Sequence, residues 1–208
     1  MDRSGLIFIL NRLKKFSTDL YLNVKHTAVV FLAFTRKKQF GPKVFCIGFN
    51  KTGTTSLGRA LGSLGYRNSS FNRVVWRQYY LKGKIEKVIE YASKFESFDD
   101  LPWLKEDLIP FLDKSFPGSK WIYLERDEKE WKSSFVKWSK NRFGYSYDPD
   151  DGRRKYDAHR KFVFKYFETR VNKDLLVLSI KDPEGFKKLA EFLGKQTDQF
   201  EFPHFNKS

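Results

Sequence analysis

Lys43-Val-Phe-Cys-Ile-Gly-Phe-Asn-Lys-Thr-Gly-Thr-Thr-Ser-Leu57 is the stretch from which the fold of this chain is read. Val44, Phe45, Cys46 and Ile47 form an apolar run suited to a central parallel strand. Gly48 and Gly53 bracket a tight turn, and glycine lets a ligand approach the backbone closely. Thr54, Thr55 and Ser56 set hydroxyls where a new helix presents unpaired N–H groups. Leu57, Ala60, Leu61 and Leu64 then recur at helical spacing. A helix N-terminus with loop amides, hydroxyls and one lysine binds anions, and phosphate is the usual one. The lysine narrows the choice. A triphosphate-binding loop runs G-x-x-x-x-G-K-[ST], with lysine directly after the second glycine. Gly48 and Gly53 keep that spacing, but Thr54 stands at the lysine position and Lys51 lies inside the loop. This speaks against ATP or GTP hydrolysis and for another phosphate-containing donor.

Lys120-Trp-Ile-Tyr-Leu-Glu-Arg-Asp-Glu-Lys-Glu-Trp-Lys-Ser-Ser134 is a second strand running into a helix. Trp121 to Leu124 supply the strand. Asp127 and Glu128 suit a helix start, as cap and as negative charge at the positive end of the dipole. Arg126 falls at the carboxyl end of the strand, the edge where open α/β sheets bind ligands. Ser134 follows about two helical turns later. Ser133 is its neighbour should the register shift by one. Arg126 has a plainer reading as a surface ion pair with Asp127 or Glu130.

Together these strings resemble the nucleotide motifs of the sulfotransferases that use 3′-phosphoadenosine 5′-phosphosulfate (PAPS). The first is similar to their 5′-phosphosulfate loop, which implies donor binding by Asn50, Lys51, Thr52, Gly53, Thr54, Thr55 and Ser56. The second is similar to their 3′-phosphate motif, which implies a grip by Arg126 and Ser134; a guanidinium fork suits a phosphate. The resemblance covers most of the chain after Pro42. Phe98-Asp-Asp-Leu-Pro-Trp103 is similar to the Asp-x-Pro segment of one bacterial and eukaryotic branch, with Asp100 at the aspartate position. Asp174 to Ile180, Pro183 to Gly194 and Phe202 to Asn206 are similar to its late strand, last helix and closing segment. The implied fold is α/β: a three-layer parallel sheet flanked by helices, the P-loop NTPase-like sulfotransferase fold.

The implied activity is transfer of a sulfuryl group to a hydroxyl or amine acceptor. Positioning and charge stabilisation dominate such a transfer. Lys51 is suited to neutralise charge on the bridging oxygen as its bond breaks. An acceptor hydroxyl also needs a base. Asp100 is the first candidate, following a strand end with Pro102 stiffening the turn; Asp99 is the second, and both have a plainer reading as helix caps. His159 and His204 are weaker candidates, and His159 could face solvent. PAPS is the expected donor, with no metal, since no His/Cys cluster has ligand spacing. The expected acceptor is a carbohydrate or lipid-linked glycan. A P-loop kinase and a non-catalytic polyanion-binding protein are the alternatives.

Composition agrees. The 208 residues suffice for one domain and an extension, and 40% are hydrophobic, so a real core can form. The single cysteine, Cys46, forbids an internal disulfide and falls in the central strand, where it reads as core. A cytoplasmic location is expected. The net charge of +15 suits anionic ligands or anionic membrane surfaces. No nucleic-acid partner is expected, because no recognition signature accompanies the basic clusters.

Residues 1–42 are read as a basic extension and 43–208 as the sulfotransferase-like domain. Leu6-Ile-Phe-Ile-Leu10 and Ala28-Val-Val-Phe-Leu-Ala-Phe34 are apolar but too short to span a bilayer. With the flanking basic residues they suit either an amphipathic segment at a membrane surface or a helix packed on the domain. From Lys43 strand and helix alternate, as in a parallel sheet covered on both faces. Strands are expected at 43–48, within 65–71, at 95–98, 120–125 and 175–180. Helices are expected at 55–64, 85–92, 104–116 with a kink or boundary at Pro110, from Asp127, at 156–171 and from Pro183. Gly144 to Gly152 reads as a substrate loop. Trp131, Phe135 and Trp138 should share one helix face.

Overall fold

Five short parallel strands carry the computed structural model, which describes residues 20–21, 24, 26–28, 42–170 and 174–202. They are β1 (Val44–Cys46), β2 (Asn68–Ser69), β3 (Ser97–Phe98), β4 (Lys120–Leu124) and β5 (Leu175–Leu178). Their order is β2-β3-β1-β4-β5, and every pairing is parallel. The chain leaves β1 toward β2 on one side and leaves β4 toward β5 on the other. The crevice between the carboxyl ends of β1 and β4 is therefore a topological switch point, where open α/β sheets take ligands.

Alternation along the strands builds two different faces. Val44 and Cys46 of β1, with Ile122 and Leu124 of β4, pack on Leu57, Ala60 and Leu61 of α1 (Thr54–Ser63) and on Phe186 and Leu189 near the end of the chain. The opposite face is aromatic. Phe45 stacks between Phe98 and Trp121, at 4.7 and 4.8 Å between ring centroids, and Trp121 meets Phe167 at 5.3 Å. Both faces are thus dry and covered, which is what a parallel sheet needs. Cys46 has no exposure, and burial pushes its thiol pKa far up, so it is a core residue.

The remaining helices are α2 (Ile85–Ala92), α3 (Ile109–Ser115), α4 (Glu128–Phe143), α5 (Pro149–Tyr166) and α6 (Gly185–Phe192). Three expectations need correction. The segment 104–116 is helical only from Ile109, with Pro110 in the first turn, where a missing N–H costs nothing. The long helix starts at Pro149 and ends at Tyr166, rather than running from 156 to 171. The loop expected over Gly144 to Gly152 spans only Gly144–Asp148, because Asp148 caps α5 by accepting from Asp150 N at 2.9 Å.

The chain divides into two compact units. All five strands lie in one, Gln39–Phe71 with Phe95–Ser208. The other is Met1–Lys38 with Asn72–Lys94, so the division runs through the stretch 43–208 that the sequence reads as one domain. In this second unit Val75–Tyr79 form a π-helical turn and Tyr80–Lys82 a 3-10 turn before α2. His26 stacks on Tyr91 at 5.4 Å, and Asn72 Nδ2 lies 3.2 Å from its Nδ1. Burial lowers the His26 pKa, ahead of an opposing contribution from that contact with Asn72. Apart from Ala28, both N-terminal apolar runs lie outside the described residues. Among the described residues no helix is long and apolar enough to cross a membrane.

Candidate active site

The loop after β1 is held from several directions. Ile47 N donates to Ile122 O at 2.9 Å, tying the loop's first residue to β4. At Gly48 an added Cβ would lie 2.7 Å from the Leu124 backbone nitrogen, so only glycine passes so close to β4. Thr52, fully buried, turns its hydroxyl back to Phe49 O at 2.7 Å and closes the loop on itself. Gly53 precedes α1 at φ 109°, and its carbonyl accepts from Ser56 N at 2.9 Å and Leu57 N at 3.1 Å. A Cβ there would lie 2.5 Å from Ile180 Cδ1, a second reason for glycine. No side chain caps α1. Thr54 and Ser56 are buried at its first turn, and Thr55 is exposed.

Lys51 has φ 72°, a left-handed conformation that a non-glycine residue adopts at a cost of about 1–3 kcal/mol. Three contacts fix the turn around it. Arg126 Nη1, from the loop after β4, donates to Lys51 O at 2.9 Å. Trp131 Nε1, on α4, donates to Asn50 O at 2.8 Å. The Lys51 ammonium lies 5.9 Å from the centroid of Trp138, also on α4. Burial lowers the Lys51 pKa, the charge on Arg126 lowers it further, and that on Asp100 opposes both. Lys51 and Arg126 thus concentrate positive charge at one edge of the crevice.

Asp99 and Asp100 follow β3 and diverge. Asp99 is 1% exposed, accepting from Asn68 Nδ2 at 2.7 Å and from Ser70 Oγ at 3.1 Å. Both its oxygens are committed inside the protein. Asp100 has φ 68°, precedes a cis Leu101–Pro102 bond, and accepts from Leu101 N at 2.7 Å. Burial raises its pKa, while the backbone bond and then the Lys51 charge pull it down. Asp100 is half-buried and within electrostatic reach of Lys51.

Asp99 carries a stability prediction. Desolvation raises its pKa to about 6, against the opposing bonds from Asn68 and Ser70. A raised carboxylate pKa means the native state binds the extra proton, so stability is full near pH 4 and falls as pH climbs through 6. The loss is on the order of 2–3 kcal/mol above that window. Asp99→Asn keeps an acceptor for Asn68 and offers Ser70 a donor instead. Melting temperatures from pH 4.5 to 7.5 should fall for the wild type and stay flatter for the variant; equal slopes would contradict this.

The second motif runs from β4 into α4, the strand and helix that the sequence predicts. Asp127 caps α4 by accepting from Glu130 N at 3.1 Å. Arg126 Nε also lies 3.7 Å from a Glu130 carboxylate oxygen, the ion pair of its plainer reading, while Nη1 holds Lys51 O. Ser134 is half-buried and lies one helical turn from both Trp131 and Trp138, the two residues that meet the loop, whereas Ser133 is exposed. Trp131 and Phe135 stack at 4.9 Å and Phe135 meets Trp138 at 5.8 Å, so the expected aromatic face of α4 forms. Beside Arg126 a cleft of about 280 Å³ opens beyond β4 and β5. Arg153, Tyr156, Arg160 and Ser179 line it with Arg126, and Glu125 and Asp127 share its wall.

His159 differs from expectation. It is 2% exposed on α5, with Nε2 2.7 Å from Ile47 O and Nδ1 3.3 Å from Glu106 Oε1. Both ring nitrogens are engaged, so it braces the start of the loop and is not free to act as a base. His204 lies outside the described residues. Among the described residues no group of three or more His, Cys, Asp or Glu side chains could hold a metal ion.

A phosphate-type loop without the triphosphate lysine, bonded to an arginine at the switch point of a parallel sheet, places the chain among α/β proteins with a ligand crevice at that edge. The particular family follows from comparison. A family model described as a sulfotransferase domain, Sulfotransfer_4, matches residues 43–145 and 136–208, and the chain belongs to that family. No curated protein matches it. Among solved structures it is similar to a gluconokinase from Sinorhizobium meliloti 1021, with 16% identity over 76% of this chain and 98% of that one. The TM-score is 0.45, too low to bear on function.

Proposed function

We propose that this sulfotransferase-family protein takes its sulfuryl group from PAPS and delivers it to a hydroxyl on a carbohydrate or lipid-linked glycan. The observation that carries the reading is the Arg126 bond to Lys51 O, which joins the two anion-binding elements across one crevice. PAPS has two anionic ends, and two elements of the chain suit them. The loop amides of residues 50–56 and the α1 N-terminus suit the 5′-phosphosulfate. Arg126, with Ser134 on the adjacent helix, suits the 3′-phosphate, and the cleft lined by Tyr156 and Ser179 leaves room for the nucleoside.

Asp100 accepts the proton of the acceptor hydroxyl as that oxygen bonds to sulfur. The bond between sulfur and the bridging phosphate oxygen breaks, and adenosine 3′,5′-bisphosphate departs with the electron pair. Lys51 neutralises the charge growing on that oxygen. Burial of both side chains and their mutual field support these roles, since charges in a partly dry crevice act more strongly than in water. Calorimetry tests the donor assignment. Adenosine 3′,5′-bisphosphate should bind much more tightly than ATP, and equal or tighter binding of ATP favours the kinase reading.

The N-terminal extension, residues 1–42, is proposed to rest on an anionic membrane surface on the cytoplasmic side. Helical Leu20, Tyr21 and Val24 are each more than half exposed, in an extension rich in basic residues. Basic side chains at an anionic leaflet contribute about 1 kcal/mol each. Full-length protein should co-sediment with anionic liposomes at low salt, and protein lacking residues 1–38 should not. Equal behaviour of the two would remove the membrane role.

A further inference from the structure

We propose that the exposed ring cluster of Trp138, Phe143, Tyr145 and Tyr147 is the acceptor subsite, and that it takes the apolar face of a hexose ring. The inference rests on the sulfotransferase reading and deepens it by saying where the acceptor lies and what chemistry holds it. The rings form an unbroken track that starts at the transfer site. The Lys51 ammonium lies 5.9 Å from the Trp138 centroid. Trp138 meets Phe143 at 5.6 Å, Phe143 meets Tyr147 at 5.2 Å, and Tyr147 meets Tyr145 at 5.2 Å.

Their exposure is what calls for a ligand. Phe143 is 45% exposed, Tyr145 57% and Tyr147 41%. Three large rings gathered on one surface, next to a polar crevice, are a binding patch rather than scattered exposure. The support beneath them is fixed. Gly144 ends α4 at φ 81°, its N–H donating to Lys140 O at 2.9 Å. Tyr147 N donates to the buried Ser139 Oγ at 3.1 Å, and Asp148 caps α5 directly afterwards. A five-residue link anchored at both ends holds the rings in place before any ligand arrives, which lowers the ordering cost of binding.

The arrangement selects among acceptors. Trp138 and Phe143 meet at 89°, and Phe143 and Tyr147 at 83°. Tyr145 is tilted by 39° to Phe143 and 59° to Tyr147, so none of these ring pairs is parallel and no slot admits a flat aryl alcohol. An open surface also gives an alkyl chain no enclosed pocket. A pyranose ring matches it, with a C–H face to lie on the rings and a rim of hydroxyls. The Tyr145 and Tyr147 hydroxyls, 3.2 Å apart, can exchange hydrogen bonds with that rim. Lys137, Lys140 and Arg142 are exposed on the same helix, so an acidic sugar would also be attracted.

The test uses the full chain, labelled PAPS, and a panel of neutral and uronic-acid oligosaccharides, aryl alcohols and fatty alcohols. Label should reach saccharides. Phe143→Ala and Tyr145→Ala should each raise the saccharide KM by roughly tenfold, with kcat and adenosine 3′,5′-bisphosphate affinity little changed. Label reaching no saccharide, or an unchanged saccharide KM in both variants, would overturn the inference. Wild-type protein that binds no adenosine 3′,5′-bisphosphate would instead show that the donor reading itself had failed.

Discussion

Lys51→Ala should lose roughly a hundredfold or more in turnover, the size seen when one donor to transition-state charge is removed. Lys51→Ala removes the ammonium's contact with Trp138 but keeps the Lys51 carbonyl that accepts from Arg126 and the Trp131 bond to Asn50 O, so the loop can survive the change. Residue 51 also sits at φ 72°, where glycine is unstrained. Lys51→Gly relieves the backbone and still removes the ammonium. Loss of turnover in both variants, with thermal stability kept, assigns the effect to the charge. Full activity in either variant would refute the role of the lysine, and abolition of wild-type turnover by a chelator would point to a metal in its place.

Arg126→Ala should weaken binding of adenosine 3′,5′-bisphosphate by about 1.5–3 kcal/mol, as expected for a charge-assisted bond to phosphate. Two effects meet in this variant, because Arg126 also holds Lys51 O. They separate by ligand. Adenosine 5′-phosphosulfate lacks the 3′-phosphate, so the variant should lose less affinity for it than for PAPS. An equal loss for both would mean that Arg126 acts only by bracing the loop. Arg126→Lys should recover part of the charge but not the forked geometry.

The sequence reveals the parts of the site that are local and hides those that are not. The strand, glycine loop and helix at 43–64 are legible because an anion cradle is built from consecutive residues. The same holds for Asp127 as the cap of α4. The bond that joins the two motifs is not legible, since Arg126 and Lys51 stand 75 positions apart. His159 misleads for the same reason. On a charged helix it reads as exposed, yet its partner is Ile47 O, 112 positions away. The left-handed backbone at Lys51 has no signal in residue type, and at Asp100 only the weak one that aspartate tolerates that region. Between the aspartates, the sequence ranks Asp100 first, and only the structure shows that both Asp99 oxygens accept bonds from Asn68 and Ser70.

Elsewhere the misreadings have simple causes. Strands β2 and β3 have two residues each, too few for an alternating pattern to declare itself. Asp148-Pro149-Asp-Asp151 reads as a turn by composition, but aspartate followed by proline is also a helix start, and α5 begins there. The π-helical turn at Val75–Tyr79 has bulky residues without a helical period, and nothing in the sequence marks it.

Sulfuryl transfer from PAPS is measured directly by label transfer. Wild-type protein is incubated with sulfur-labelled PAPS and an oligosaccharide acceptor panel, in parallel with terminally labelled ATP. The account predicts labelled saccharide and an equal amount of adenosine 3′,5′-bisphosphate, with no phosphate moved from ATP. Phosphate moved from ATP to an acceptor, with no sulfur label leaving PAPS, would contradict it.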